Sequence, residues 1–281
     1  MPLRRKGVVF DNACCSYPLC VPSRMSFMTG RLPHRLSIWD NYGLLPSAIP
    51  IFAHALEHGG YEAVLCGRMH FLGYDQRHGF KSRIFPEVSN YAAGLLYDTD
   101  GWQPSAIEKS GPGRNHYLLY DRLCVQAAEN WLRKRVARKE DKPFCLVVGL
   151  TGPHCPFVCP EKLFWKYFRQ VDVPVYSADY FHRTHPFLRR YRKICGIEDL
   201  SEAEIRRARA AYYGMVEYDD RLIGHLVDRT SFLNLLLGER DKREVRAELC
   251  DRQLRVGPAM MLREGAKSAF IITANSLNFS I

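Results

Sequence analysis

Apolar positions along the chain follow two rhythms. Tyr61–Cys66 and Pro143–Leu150 are apolar runs of strand length and read as buried strands, the second a central one. Gly7–Phe10 is a shorter apolar run, read as a strand edge. Helical spacing appears elsewhere. Ser47 opens a pattern through Ile51, Phe52, Ala55 and Leu56 that stops at Gly59-Gly60. Leu118–Ala137 carries Leu119, Leu123, Ala127 and Leu132 as an apolar stripe. Ser201 and Glu204 form a capping box, and Ile205, Ala208, Tyr212, Met215, Leu222, Ile223 and Leu226 follow at helical spacing. On that helix Asp219 and Asp220 read as surface acids, because successive carboxylates point apart. From 173 to 192 the chain is aromatic and basic with little period, an irregular excursion. Helix, glycine and strand in alternation predict an α/β fold.

Composition narrows the class. A chain of 281 residues with 47% hydrophobic and 25% charged residues has the make-up of a globular protein able to bury a large core. No apolar run approaches a membrane span, and no signal-peptide core follows Met1–Lys6, so a cytoplasmic protein without a membrane partner is expected. The ten cysteines form no secreted disulfide framework. Cys155 and Cys159 flank His154, but no second Cys/His pair stands at zinc spacing. The net charge is +10, concentrated in runs 132–139, 189–193 and 206–209. Interleaved Phe181, Tyr191, Tyr212 and Tyr213 would suit a nucleic-acid surface. Acids lie close to the runs and no recognition motif accompanies them, so solvated helix faces are the preferred reading.

Three short stretches carry candidate chemistry. In Cys20-Val21-Pro22-Ser23-Arg24, Pro22 suits a first helical turn and Gly30 closes a helix through Thr29. Cys20 then sits at the electropositive helix end, and Arg24, one turn on, offers a planar fork for an oxyanion. In Gly67-Arg68-Met69-His70-Phe71, Arg68 and His70 lie two apart at a strand's C-terminal end, on one side of an extended segment. A rigid Pro153-His154-Cys155-Pro156 loop ends the second strand. Taken singly, each has a plain alternative: a buried thiol, a surface arginine beside a hydrogen-bonded histidine, and a histidine capping a turn.

Together they resemble the sulfatase signature of the alkaline phosphatase superfamily. The run Cys20–Arg24 with Thr29-Gly30-Arg31 is similar to the segment in which that family oxidises a cysteine to formylglycine. Gly67–Phe71, 73–80, Trp39-Asp40-Asn41 and Thr99-Asp100-Gly101-Trp102 are similar to the choline sulfatase branch, which implies substrate contacts at Asp40 and Trp102. Arg68 stands where the family has lysine. Thr151-Gly152-Pro153-His154-Cys155-Pro156-Phe157 resembles a loop whose second histidine touches the sulfate ester, and Gly152 replaces the first.

The resemblance implies a mixed α/β sheet with helices on both faces. Cys20, Arg24, Arg68, His70 and His154 would be the catalytic set of a sulfuric ester hydrolase. A calcium or magnesium ion is implied, with Cys20 as formylglycine among its ligands. The small-molecule sulfate ester and a formylglycine-generating or anaerobic maturation enzyme are the implied partners. Residues 1–228 would be a partial catalytic domain, beginning after the family's first metal-binding strand, and 229–281 a poorly matched remnant. Leu237-Gly238-Glu239-Arg240 is similar to the run that follows the family's second metal-binding strand, which is not found near residue 230. Ala259–Gly265 resembles a later strand. Two other readings stand beside the hydrolase: an inactive remnant that binds anions, and a basic nucleic-acid-binding module.

Overall fold

The computed structural model describes residues 14–88, 105–177, 179–236, 246–248, 259–262 and 268–273. In chain order these form α1 (Cys20–Thr29), α2 (Pro33–Leu36), α3 (Phe52–His58), β1 (Glu62–Gly67), β2 (Ser82–Phe85), α4 (Ser105–Glu108), β3 (Gly111–Pro112), α5 (His116–Ala137) and β4 (Phe144–Gly149). There follow β5 (Val158–Cys159), α6 (Glu161–Phe168), α7 (Pro186–Ile194), α8 (Glu202–Leu236), β6 (Arg246–Glu248), β7 (Ala259–Leu262) and β8 (Ser268–Thr273). The expected strand at Gly7–Phe10 and the run Leu237–Arg240 lie outside the described residues.

The chain divides into two units. The first takes 14–88, 116–152 and the described residues from 219 on; the second takes 105–115 and 153–218. In the first unit the strands form one mixed sheet in the order β2-β1-β4-β8-β7-β6. β2, β1, β4 and β8 run parallel, and β7 and β6 are antiparallel. β1 and β4 pair in step from Glu62–Phe144 to Gly67–Gly149. Strand alternation sends Ala63, Leu65, Cys145 and Val147 to one core, with Val21, Met25 and Met28 of α1. Val64, Cys66, Leu146 and Val148 face the other, with Cys124, Val125 and Ala128 of α5 and Ile223 and Leu226 of α8. Helices thus cover both faces of the sheet, as the sequence led us to expect.

The second unit is built around Phe157, Leu163, Phe164, Ala208, Ala211 and Met215. Here β3 and β5 pair in parallel. The capping box is present: Glu204 N–H donates to Ser201 Oγ at 3.3 Å, and Ser201 N–H to Glu204 Oε2 at 2.9 Å.

Four expectations need correction. The helix expected from Ser47 begins at Phe52, because Pro50 bars a helical conformation at Ile49. On α5, Leu119 and Leu123 are exposed. The buried stripe is instead Leu118, Asp121, Cys124, Val125, Ala128, Leu132 and Arg135, two of whose members are charged. The stretch read as irregular contains most of α7, which has Phe187, Tyr191 and Ile194 at helical spacing but buries no residue. Asp219 is buried, not a surface acid. It stands four residues from both Met215 and Ile223, on the face that α8 turns inward.

Candidate active site

The first unit gathers its reactive side chains where β1 and β4 end. α1 begins at Cys20 and buries Cys20, Val21, Arg24, Met25 and Met28, a stripe at helical spacing. Gly30 closes the helix at φ 67°. The first turn is capped from outside, since Val21 N–H donates to Asn41 Oδ1 at 3.0 Å. Cys20 and Arg24, one turn apart, share one side and are 4% and 7% exposed.

Arg68 leaves β1 beside Gly149, its N–H donating to the Gly149 carbonyl at 2.8 Å. A Cβ on Gly149 would lie 1.7 Å from the Arg68 carbonyl oxygen, so only glycine permits this approach. Arg24 Nη1 donates to that same carbonyl at 3.4 Å. Arg68 Nη2 lies 3.5 Å from His70 Nδ1. A guanidinium only donates, so Nδ1 is the acceptor and the neutral imidazole carries its proton on Nε2. His70 is buried and left-handed, at φ 63°.

Glu87, just past β2, underlies this turn. Its Oε2 accepts from Met69 N–H at 3.0 Å, His70 N–H at 2.8 Å and Arg83 Nη2 at 3.0 Å. Its Oε1 lies 4.0 Å from Arg68 Nε. Burial opposes its charge, but Arg83, Arg68 and the two backbone amides hold its carboxyl below the usual glutamate value. Burial and the like charge of Arg68 pull Arg24 down to about 10. Burial also opposes the charge on Arg68, and its neighbours Cys20 and Glu87 outweigh it and hold the guanidinium above its ordinary value. Two guanidiniums are therefore buried side by side, with Glu87 the nearest carboxylate.

At the end of β4, Thr151 and Gly152 donate their N–H groups to Asp121 Oδ1 and Oδ2 at 2.6 and 2.8 Å. Burial lifts the Asp121 carboxyl to about 6 against the pull of these amides and Arg68. Asp219 packs where a side chain at position 152 would begin: its Oδ2 lies 2.2 Å from the place of a Gly152 Cβ. The absence of a side chain at Gly152 thus makes room for a buried acid. Burial, then Asp121, push the Asp219 carboxyl well above its ordinary value.

Of the expected site residues, Cys20, Arg24, Arg68 and His70 lie in the first unit, and electrostatic coupling ties Cys20 to both arginines. Asp40 is exposed there and closes a turn, its Oδ1 accepting from Tyr42 N–H at 2.9 Å. His154 belongs to the second unit and donates from Nδ1 to the Cys155 carbonyl at 2.6 Å. Trp102 lies outside the described residues. Sequence reading missed Glu87, Asn41 and Asp121. Asp121 left a signal as an acid on an apolar stripe and Asn41 stands in the run Trp39-Asp40-Asn41 noted above, whereas Glu87 acts across the fold and left none.

A sulfatase family model matches residues 2–234, most of the chain. The chain belongs to the sulfatase family. This sulfatase-family chain is 32% identical over 251 residues to a choline-sulfatase of Rhizobium meliloti (strain 1021), covering 83% of this chain and 49% of the relative. It is 26% identical to arylsulfatase K of Xenopus laevis, covering 83% of this chain and 45% of the relative. It therefore spans about half the length of these relatives. In fold it is similar to a phosphonate monoester hydrolase of Agrobacterium radiobacter, with TM-score 0.65 and 18% identity, over 88% of this chain and 56% of the other.

The family is generally metal-dependent. Among the described residues, no three His, Cys, Asp or Glu side chains form a group that could hold a metal ion. Glu87 is engaged by Arg83 and two amides, and both Asp121 oxygens accept from the backbone. The described residues do not fit calcium or magnesium, which need several oxygen ligands. No helix among them is long and apolar enough to cross a membrane.

Proposed function

We propose that this chain is a sulfuric ester hydrolase that uses a formylglycine made from Cys20, with choline sulfate the first substrate to try. The carrying observation is the burial of Arg24 and Arg68 beside Cys20, with Glu87 close to Arg68. A pair of guanidiniums so placed favours a bound oxyanion. Oxidised to formylglycine, Cys20 would supply a hydrated aldehyde oxygen as nucleophile toward sulfur. Arg24 and the N-terminus of α1 hold the charge that builds on the sulfuryl oxygens. Arg68 grips the sulfate from β1, and it keeps its positive charge throughout, so it gives no proton to the leaving group. His70, with its proton on Nε2, is assigned as the proton donor to the leaving group. His154 is assigned the second imidazole role, at the ester oxygen. Asp40 and Trp102 are assigned to the alcohol portion of the substrate. A maturation enzyme and a cytoplasmic setting complete the proposal.

The test is expression with a maturation system, mass spectrometry of the Cys20 peptide, and sulfate release from choline sulfate and an aryl sulfate. Conversion with release supports the proposal. A thiol that persists, with no release, refutes it. A second reading, an anion-binding protein without turnover, draws on the missing metal group among the described residues. Turnover separates the two: a chain that binds inorganic sulfate in calorimetry, and rises in melting temperature with it, yet releases no sulfate from either ester is the anion-binding protein.

A further inference from the structure

We infer that Glu87 is a positioning residue: by accepting the N–H groups of Met69 and His70 it holds Arg68 and His70 in the conformation that binds an anion. The anion-binding part rests on the function proposed above; the positioning part stands on geometry alone.

Glu87 is 6% exposed, and its side chain lies just beyond β2, the strand parallel to β1. Three donors converge on its Oε2: Met69 N–H at 3.0 Å, His70 N–H at 2.8 Å and Arg83 Nη2 at 3.0 Å. The two amides flank the turn in which His70 takes φ 63°, a conformation that a side chain with a Cβ rarely adopts unaided. An acceptor within reach of that amide offsets the strain. The same carboxylate sets the orientation of Arg68 without neutralising it. Arg83 lies 3.0 Å from Glu87, whereas Arg68 Nε remains 4.0 Å away, buried and without a hydrogen-bond partner. Arg83 also donates to the Gly67 carbonyl at 2.7 Å and to the Gln76 side chain at 3.0 Å. Gln76 in turn donates to the Phe71 and Gly73 carbonyls, each at 2.8 Å. The segment from Gly67 to Gln76 is thus pinned from one buried carboxylate outward. Arg83 is the arginine hydrogen-bonded to Glu87, which leaves the Arg68 fork available to a ligand.

Reach and charge separate in two variants. Glu87→Gln keeps an acceptor at the same reach and loses the charge. Glu87→Asp keeps the charge and retracts it by about 1.5 Å, one bond length. The full chain, titrated with inorganic sulfate by calorimetry, should bind at least ~10-fold more weakly as E87D, since misplacement near 1 Å costs more than that at a reacting site. E87Q should bind as tightly as wild type or tighter. E87D binding like wild type, or E87Q weakened as much as E87D, overturns the inference. Should wild type not bind sulfate, the proposed function loses its support, and the Met69 and His70 amide resonances decide the positioning: they should move in E87D and stay near wild type in E87Q. Amides unmoved in E87D overturn it. Circular dichroism confirms folding. If E87D does not fold, hydrogen exchange in wild type decides instead: slow exchange at Met69 and His70 is expected, and exchange as fast as in an exposed loop overturns the inference.

Discussion

The paired acids Asp121 and Asp219 should make this protein less stable as pH rises from acid toward neutral, and Asp219→Asn should remove part of that loss. Burial lifts the Asp121 carboxyl from 3.8 to about 6, while Asp219 is lifted well above 3.8 by burial and by Asp121. Raised values mean that the folded chain holds these protons more tightly than the unfolded chain. Stability from them is therefore fully present below 3.8 and is lost as pH climbs through the folded values. For Asp121 a shift of about two units corresponds to about 3 kcal/mol, at 1.36 kcal/mol per unit. Asp219 acts in the same direction. D219N is neutral at every pH and nearly the same size, so it escapes this loss. The stability difference between D219N and wild type should then grow by about 1.4 kcal/mol per pH unit wherever Asp219 is protonated folded and ionised unfolded. Glu87 contributes the opposite slope, being held low in the fold, but it is common to both proteins and cancels. Urea melts of both chains at half-unit steps from pH 4 upward provide the assay. A difference that stays flat with pH, or that shrinks as pH rises, refutes the buried-acid reading.

Other substitutions test other contacts. Gly149→Ala places a methyl 1.7 Å from the Arg68 carbonyl, and the required backbone shift should cost more than about 3 kcal/mol in a urea melt. Asn41→Ala removes the acceptor for Val21 N–H and should lower the denaturant midpoint by the equivalent of about 1 kcal/mol. Arg135→Met keeps the apolar stem but leaves Glu62, 2.7 Å from Arg135 Nη1, without its partner. A loss of about 3 kcal/mol is expected, at the low end for a buried pair because Glu62 keeps some solvent.

The readable part of this chain follows from local chemistry. Two apolar runs of strand length became β1 and β4, since strands covered on both faces need no alternation. The Pro22 and Gly30 signals bounded α1 within a few residues, and Ser201 with Glu204 opened α8. The errors also have local causes. On α5, Leu119 and Leu123 drew the stripe to one side, because hydrophobicity alone counts Asp121 and Arg135 as surface residues. Asp219 differs for another reason: successive carboxylates do point apart, and that lets one of the pair face inward.

The sequence by itself determined which residue types stand at Cys20, Arg24, Arg68 and His70, the spacing that places Cys20 and Arg24 one turn apart, and the family to which such a run points. Tertiary structure decided what surrounds them. Glu87 under the Met69–His70 turn, Asn41 at the head of α1 and Asp121 beneath Thr151 are long-range partners, joined only once the chain has folded. A one-dimensional pattern records which side chains prefer burial. The partner that makes a buried charge tolerable is chosen by the fold, because the energy of that charge depends on distances no local spacing encodes.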